Sequence, residues 1–276
     1  MFNLFLAAIC MCGVAPERAD DFYWENDLVG FRAYGPGDPH VWSGFDLFNK
    51  MPDAGTTCGE LLHNHDKCGN WHVKAYKGIL DNYAIGPGRG IGQIALYGDG
   101  EWKTFPNWTR CEVIANCDEF CEFKLVYPAF SALGEMTCHI TLKRGERFFK
   151  NTVSFKNPKR LREFILGPGL DVNPSRNHGG VVFEDAERGI VALYEDPRGG
   201  EEGSTATAVF IDPADAEGVQ IATDAQGCRI LALRKPAFTY YAGAAWSKTG
   251  AVTSPEAWFD EVKRFAASKS FNNKEQ

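Results

Sequence analysis

Between Phe22 and Trp246 the chain is cut by Gly, Pro, Asn and Asp into short runs that are either apolar or alternating, a rhythm that restricts it to strands joined by turns. In "EMTCHITLKRGERFFKNTVSF", Met136, Cys138, Ile140 and Leu142 alternate with Thr137, His139 and Thr141, so one face of a strand is buried and His139 sits on the other. The segment "IGQIALYGDGEWKTF" reads as two strands turning at Gly98-Asp99-Gly100, where glycine supplies the positive φ that a tight hairpin requires. Further strands are read in "GIVALYE", "TATAVFI", "CRILAL" and "AFTYYAGAAW". One segment has a helical period: in "SPEAWFDEVKRFAASK" Ser254 caps, Pro255 suits the first turn, Glu256 meets the positive end of the dipole, and Trp258, Val262 and Phe265 line one face. The predicted fold is all-β, a large antiparallel β-sandwich with one C-terminal helix.

At 276 residues, with no internal repeat and no low-complexity linker, residues 16–269 are expected to form a single sandwich domain, followed by a frayed tail at 270–276. Residues 1–15, "MFNLFLAAICMCGVA", are mostly apolar and end in small residues, as a weak or truncated signal peptide does, although the basic n-region is missing; an apolar first strand is the alternative. On the signal reading the protein is periplasmic or secreted. No segment has the uninterrupted apolar length of a membrane span. The net charge of -7 disfavours nucleic acid as a partner. Eight basic residues between Lys143 and Arg162 form a stripe that reads as a solvated strand face, with attraction of an anionic polysaccharide as the alternative.

Three blocks carry a resemblance: "PERADDFYWENDLVGFRAYGP" near the start, "DNYAIGPGRGIGQIALYGDGEW" with "CEVIAN" in the middle, and "YYAGAAWSKTGAVTSPEAWFDEVKRFA" at the end. From about Pro16 to Ala267 the chain resembles the bacterial domain of unknown function family 4861, whose members occur among exported proteins encoded beside polysaccharide-degrading enzymes. The resemblance implies a sandwich akin to the galactose-mutarotase and polysaccharide-lyase supersandwiches, and an oligo- or polysaccharide as partner. It supplies no catalytic residues.

Candidate chemistry is therefore read from the residues themselves. The stretch "CGELLHNHDKCGNWH" puts Cys58, His63, His65, Cys68 and His72 within fifteen positions. Thiolate and imidazole suit zinc, but the spacing lacks a Cys-x2-Cys knuckle, so no metal or other cofactor is assigned and a glycan-handling loop is preferred. Imidazole titrates near neutral pH and moves a proton either way. In "DNYAIGPGRGIG" Tyr83 and Arg89 lie among glycines that allow close backbone approach, and a guanidinium there can grip a uronate carboxylate; pairing with a protein carboxylate is the competing reading. The predicted catalytic group is His72, Tyr83 and Arg89, acting by β-elimination: Arg89 neutralises the uronate, His72 or Tyr83 removes the C5 proton, and another member protonates the leaving oxygen. His63, His65, Asp171, His178, Glu195 and Tyr241 are predicted to bind substrate, Asp171 and His178 from a turn-rich loop, Glu195 from a strand end, and Tyr241 by stacking on a sugar face. A non-catalytic carbohydrate-binding protein, or a glycoside hydrolase or epimerase on the same scaffold, is the alternative. Cys111, Cys117 and Cys121 are expected to supply one disulfide and one buried thiol.

Overall fold

The computed structural model describes residues 9–39, 44–129, 131–159, 164–172, 180–235 and 237–272. Strands β1 (Met11–Ala15), β2 (Asp21–Glu25), β3 (Gly30–Ala33), β4 (Phe45–Lys50) and β5 (Ile79–Leu80) form a five-stranded sheet in sequence order. Between β4 and β5 the chain leaves the sheet and forms helix α1 (Cys58–His63). Next come β6 (Ile91–Gly98) and β7 (Glu101–Thr104), then β8 (Arg110–Asn116), β9 (Phe120–Tyr127), β10 (Met136–Lys143) and β11 (Phe148–Phe155). The rest comprises β12 (Ile165–Leu170), β13 (Val181–Asp185), β14 (Ile190–Glu195), β15 (Thr205–Ile211), β16 (Gln220–Thr223), β17 (Arg229–Ala232), β18 (Ala237–Trp246) and helix α2 (Pro255–Asn272).

An eight-stranded sheet ordered β13-β14-β15-β18-β11-β10-β9-β8 is the spine, and a second five-stranded sheet is ordered β16-β17-β12-β6-β7. One core holds all three sheets together. It joins Phe22, Trp24 and Phe45 of the first sheet and Ile94 and Leu166 of the third to Phe123, Phe149 and Val209 of the spine. The rings interlock across the layers, with Phe22 4.5 Å from Phe123 and Trp24 edge-on to Phe149 at 5.4 Å. The two smaller sheets meet where Phe45 bridges Gly90, so together they form the layer facing the spine. Glycine is required at 90: its φ is +54°, and a Cβ there would lie 2.0 Å from the Phe45 carbonyl oxygen.

The all-β sandwich expected from the alternation is the fold observed. Met136, Cys138, Ile140 and Leu142 are buried as predicted, and His139 faces outward to Glu122 at 2.6 Å. Asp99 and Gly100, both at positive φ, turn β6 into β7. Helix α2 begins as its sequence dictates, with Ser254 Oγ accepting from the Ala257 amide at 3.2 Å. Its Trp258, Val262 and Ala266 pack on the outer face of the spine against Phe148, Phe210 and Tyr241. Residues 273–276 of the expected tail lie outside the described residues.

Two local expectations need correction. The stretch from Cys58 opens as a helix: Thr57 and Glu60 make a reciprocal capping box, and Leu61 and Leu62 bury against Phe48, Trp71 and Ile79 on the outer face of the first sheet. All nine cysteines are free thiols. Strand register explains why Cys111 and Cys121 do not bond, since Cys111 lies opposite Leu125 and is exposed while Cys121 lies opposite Asn116 in the core. No helix among the described residues is long and apolar enough to cross a membrane.

Candidate functional site

The outer face of the first sheet carries charge where the strand pattern alone would accept apolar residues. Arg32 of β3 lies directly opposite Asp46 of β4, and the side chain is 3% exposed. Its Nη2 donates to Asp46 Oδ2 at 2.8 Å and to Asp81 Oδ2 at 2.9 Å, Nε donates to Asp46 Oδ2 at 3.1 Å, and Nη1 lies 3.3 Å from Asp21 Oδ2. Tyr34 donates to Asp46 Oδ2 at 2.8 Å, and its ring centroid lies 4.7 Å from the guanidinium carbon. One buried cation thus answers three buried carboxylates. Burial, reinforced by the charge of Asp81 and opposed by Arg32, pushes the Asp46 carboxyl up to about 6. Burial and the neighbouring Arg32 act in opposite senses on Asp21 too, and burial wins.

His72 completes this group from the covering segment. Its ring stacks on Trp71 with centroids 4.0 Å apart, and Trp71 is itself anchored under Phe48. His72 Nδ1 lies 3.2 Å from both the backbone oxygen and the Oδ2 of Asp81, which fixes the ring and directs Nε2 away from the carboxylate. Together with Arg18 and Tyr83, these groups border an open cleft of about 390 Å³. The cleft offers an oriented imidazole, carboxylate oxygens and aromatic edges. That set can bind hydroxyl groups and move a proton.

Behind Tyr83 lies a second polar group, between the first sheet and the spine. Asn49 of β4 donates to Asn82 Oδ1 at 2.8 Å and to Thr205 Oγ1 at 2.7 Å, and Thr205 lies opposite Glu195 at the end of β14. Glu195 is 1% exposed, and neither carboxyl oxygen has a hydrogen-bond partner among the described residues. The same holds for Tyr83 Oη, Asn82 Nδ2 and Thr207 Oγ1. Each such atom costs about 1–3 kcal/mol when left unpaired. Burial, then the charges of Asp171 and Asp196, push the Glu195 carboxyl up to about 9, so it is protonated at neutral pH. Burial followed by Asp171 and Glu195 drives the Tyr83 phenol well above its ordinary range. Gly88 is where Asp171 approaches, since a Cβ there would lie 2.2 Å from its carboxylate.

The residues predicted from sequence separate into three places. His72 and Tyr83 border the cleft, while Asp171 and Glu195 lie in the buried group next to Tyr83. Arg89 does not reach either: it is 1% exposed, Nε donates to Asp224 at 3.0 Å, and its Nη atoms are taken by Thr104 and the Trp102 oxygen. Its guanidinium is consumed by protein partners, the competing reading of that arginine. His63 pairs with Glu17 at 2.7 Å and His65 Nδ1 contacts the Leu62 oxygen at 3.2 Å, and neither histidine borders the cleft. Tyr241 packs under α2 against Phe210 and donates to Asp212 at 3.2 Å, on the opposite face of the spine. His178 lies outside the described residues. Among the described residues no group of three or more His, Cys, Asp or Glu is arranged around a metal position; Cys68 Sγ contacts the Asn64 oxygen at 3.1 Å and Cys58 is buried.

Sequence reading passed over Arg32, Tyr34, Asp46 and Asp81. A signal was present: a charge inside an apolar strand, as in "VGFRAYG" and "SGFDLFNK", must be paired when buried.

Comparison with known proteins gives one curated relative, "Uncharacterized protein P7" of Formosa agariphila, 24% identical over 274 residues, covering 93% of this chain and 67% of that protein. Among solved structures, the GH36 α-galactosidase AgaB of Geobacillus stearothermophilus matches 85% of this chain at 9% identity and a TM-score of 0.40. The α-N-acetylgalactosaminidase NagBb of Bifidobacterium bifidum matches 88% at 9% identity and a TM-score of 0.35. This chain spans 41% and 36% of those two enzymes. The model of the domain of unknown function family DUF4861 matches residues 8–272, and with nearly its whole length covered the chain belongs to that family.

Proposed function

We propose that the protein is carbohydrate-active and that it takes a glycan at the cleft bordered by Arg32, Asp46, His72 and Asp81, with the His72–Asp81 pair transferring a proton. The observation that carries this reading is the imidazole held on a carboxylate at 3.2 Å on the wall of an open polar cleft. A fixed imidazole of this kind is suited to general acid–base work, and the surrounding carboxylates and aromatic rings match the hydroxyls and apolar faces of a sugar. The carbohydrate context implied by the family resemblance points the same way.

Charge favours a neutral glycan. Three carboxylates surround Arg32, so that cation is already engaged, and Arg89 is bound to Asp224. Hydrolysis or epimerisation by proton transfer is therefore preferred to β-elimination of a uronate. The eliminating reaction is kept as a second reading because Arg18 also borders the cleft. In that reading Arg18 takes the neutralising role first given to Arg89.

The deciding experiment supplies neutral and uronate-containing oligosaccharides to the protein and to His72→Ala. New reducing ends or altered sugar stereochemistry from neutral glycans, lost in the variant, is the expected result. Ultraviolet absorbance of an unsaturated uronate would select the second reading. Binding without turnover would identify a carbohydrate-binding protein, and a folded protein that binds no glycan would overturn the proposal.

A further inference from the structure

Five buried atoms of Asn82, Tyr83, Glu195 and Thr207 have no hydrogen-bond partner among the described residues and are left unused by the chemistry of the cleft. We propose that Asn82, Tyr83, Glu195 and Thr207 form an inner subsite that binds one uncharged, hydroxyl-rich unit of the carbohydrate; the inference rests on the reading of the cleft given above.

Convergence is the first argument. The unpartnered atoms come from three separate segments, the turn after β5, the end of β14 and the middle of β15, and Asn49 ties those segments together through Asn82 and Thr205. Thr207 follows Thr205 on the face of β15 that also carries Val209 and Ile211 into the main core. A fold that needed only apolar filling here would place apolar side chains at these positions, because buried polar atoms are paired in stable proteins.

Tyr83 supplies the connection to the cleft. It borders the cleft beside Asp81, while Asp171 and Glu195 are the strongest charges acting on its buried phenol. Tyr83 is thus the residue shared by the cleft and the inner group.

The donor and acceptor types define the guest. Asn82 Nδ2 donates, the Tyr83 and Thr207 hydroxyls donate or accept, and the protonated Glu195 carboxyl does both. Sugar hydroxyls have the same dual character. An anionic guest would face Asp171, and a cation would have to displace the proton that Glu195 holds. A few ordered waters could satisfy the same atoms. In that case apolar isosteres would leave glycan affinity unchanged, which makes the two accounts separable.

The test uses calorimetric titration and thermal melting of the full chain with a panel of neutral di- and trisaccharides, and with calcium chloride alone. Thr207→Val is expected to raise the melting temperature of the unliganded protein and to weaken the best saccharide at least five-fold. Glu195→Leu should abolish that binding, while Glu195→Gln, which keeps a donor and an acceptor, stays within about three-fold of wild type. Calcium chloride alone should leave the melting temperature unchanged. Saccharide affinity equal to wild type in both Thr207→Val and Glu195→Leu would overturn the subsite while leaving the cleft reading intact. Stabilisation by calcium in place of saccharides would also overturn it, in favour of a cation site. If no neutral saccharide binds, the cleft reading and the subsite fall together.

Discussion

His72 Nδ1 stands 3.2 Å from Asp81 Oδ2, and the same carboxylate oxygen accepts a 2.9 Å hydrogen bond from Arg32 Nη2. The orientation of a half-exposed imidazole is thereby coupled to a cation that is sealed beneath it. Asp21 and Asp46 hold that guanidinium from two neighbouring strands, so a displacement of Arg32 is transmitted through Asp81 to the ring.

Loss of the imidazole should separate catalysis from folding. Glycan turnover in His72→Ala is expected to fall by about 100-fold or more, in the usual range for a general acid–base group. The side chain is 40% exposed, so denaturant midpoints should move little. Steady-state kinetics beside urea unfolding checks both halves.

Arg32→Met should lower stability by about 3–5 kcal/mol, because three carboxylates would remain buried without their cation. Arg32→Lys is not expected to restore it, since a single ammonium cannot reproduce bonds from Nε, Nη1 and Nη2 to separate acceptors. Guanidinium unfolding of both variants tests this, and full stability in Arg32→Lys would contradict it.

Arg89 gives the contrasting case. Removing its guanidinium leaves the Asp224 carboxylate buried without its cation, held only by the Gln226 and Cys228 amides on Oδ1, so Arg89→Met should destabilise the protein by about 3 kcal/mol. Glycan affinity in the folded variant should be unchanged, because Arg89 faces Asp224, Thr104 and Trp102, away from the cleft. Titration at a temperature where the variant is folded is the measurement.

Glu195 predicts the pH dependence of stability. Its folded pKa is raised to about 9 against an ordinary value of 4.5, so between these limits the folded state holds a proton that the unfolded state has lost. Stability from this group is complete below pH 4.5 and is lost as pH rises towards 9, by up to about 1.4 kcal/mol per pH unit. Glu195→Gln should remove that slope. Melting curves from pH 5 to 9 that stay parallel in wild type and variant would refute the assignment.

Trp258→Ala should cost about 3–5 kcal/mol, as expected for a large ring removed from a packed site. The ring is fully buried, stacks on Phe148 at 5.4 Å, and donates from Nε1 to the Thr207 oxygen at 3.0 Å. Thermal unfolding of the variant provides the check.

Helix α2 was legible because its information is local: the Ser254 cap and the spacing of Trp258 and Val262 specify start and buried face within a few turns. Strands were legible for the same reason, as alternation in "MTCHITLK" fixes which side is buried whatever the partner strand. The site was only partly legible. His72 stood out in a histidine-rich stretch and Tyr83 among glycines, yet Arg89 and Arg32 look equivalent in sequence, and only the neighbours brought by folding distinguish them.

By itself, then, the sequence determined the sandwich class, the C-terminal helix and which strand faces are apolar, because side-chain period and capping act over a few residues. Tertiary structure alone decided that Arg32 meets Asp46 across β3 and β4, that Asp81 reaches both Arg32 and His72, and that Glu195 ends beside Tyr83. Those relations depend on strand register and on the order in which the sheets pack. A one-residue slip would turn Arg32 from the cleft to the core, and nothing within the span of a single strand records which register will form.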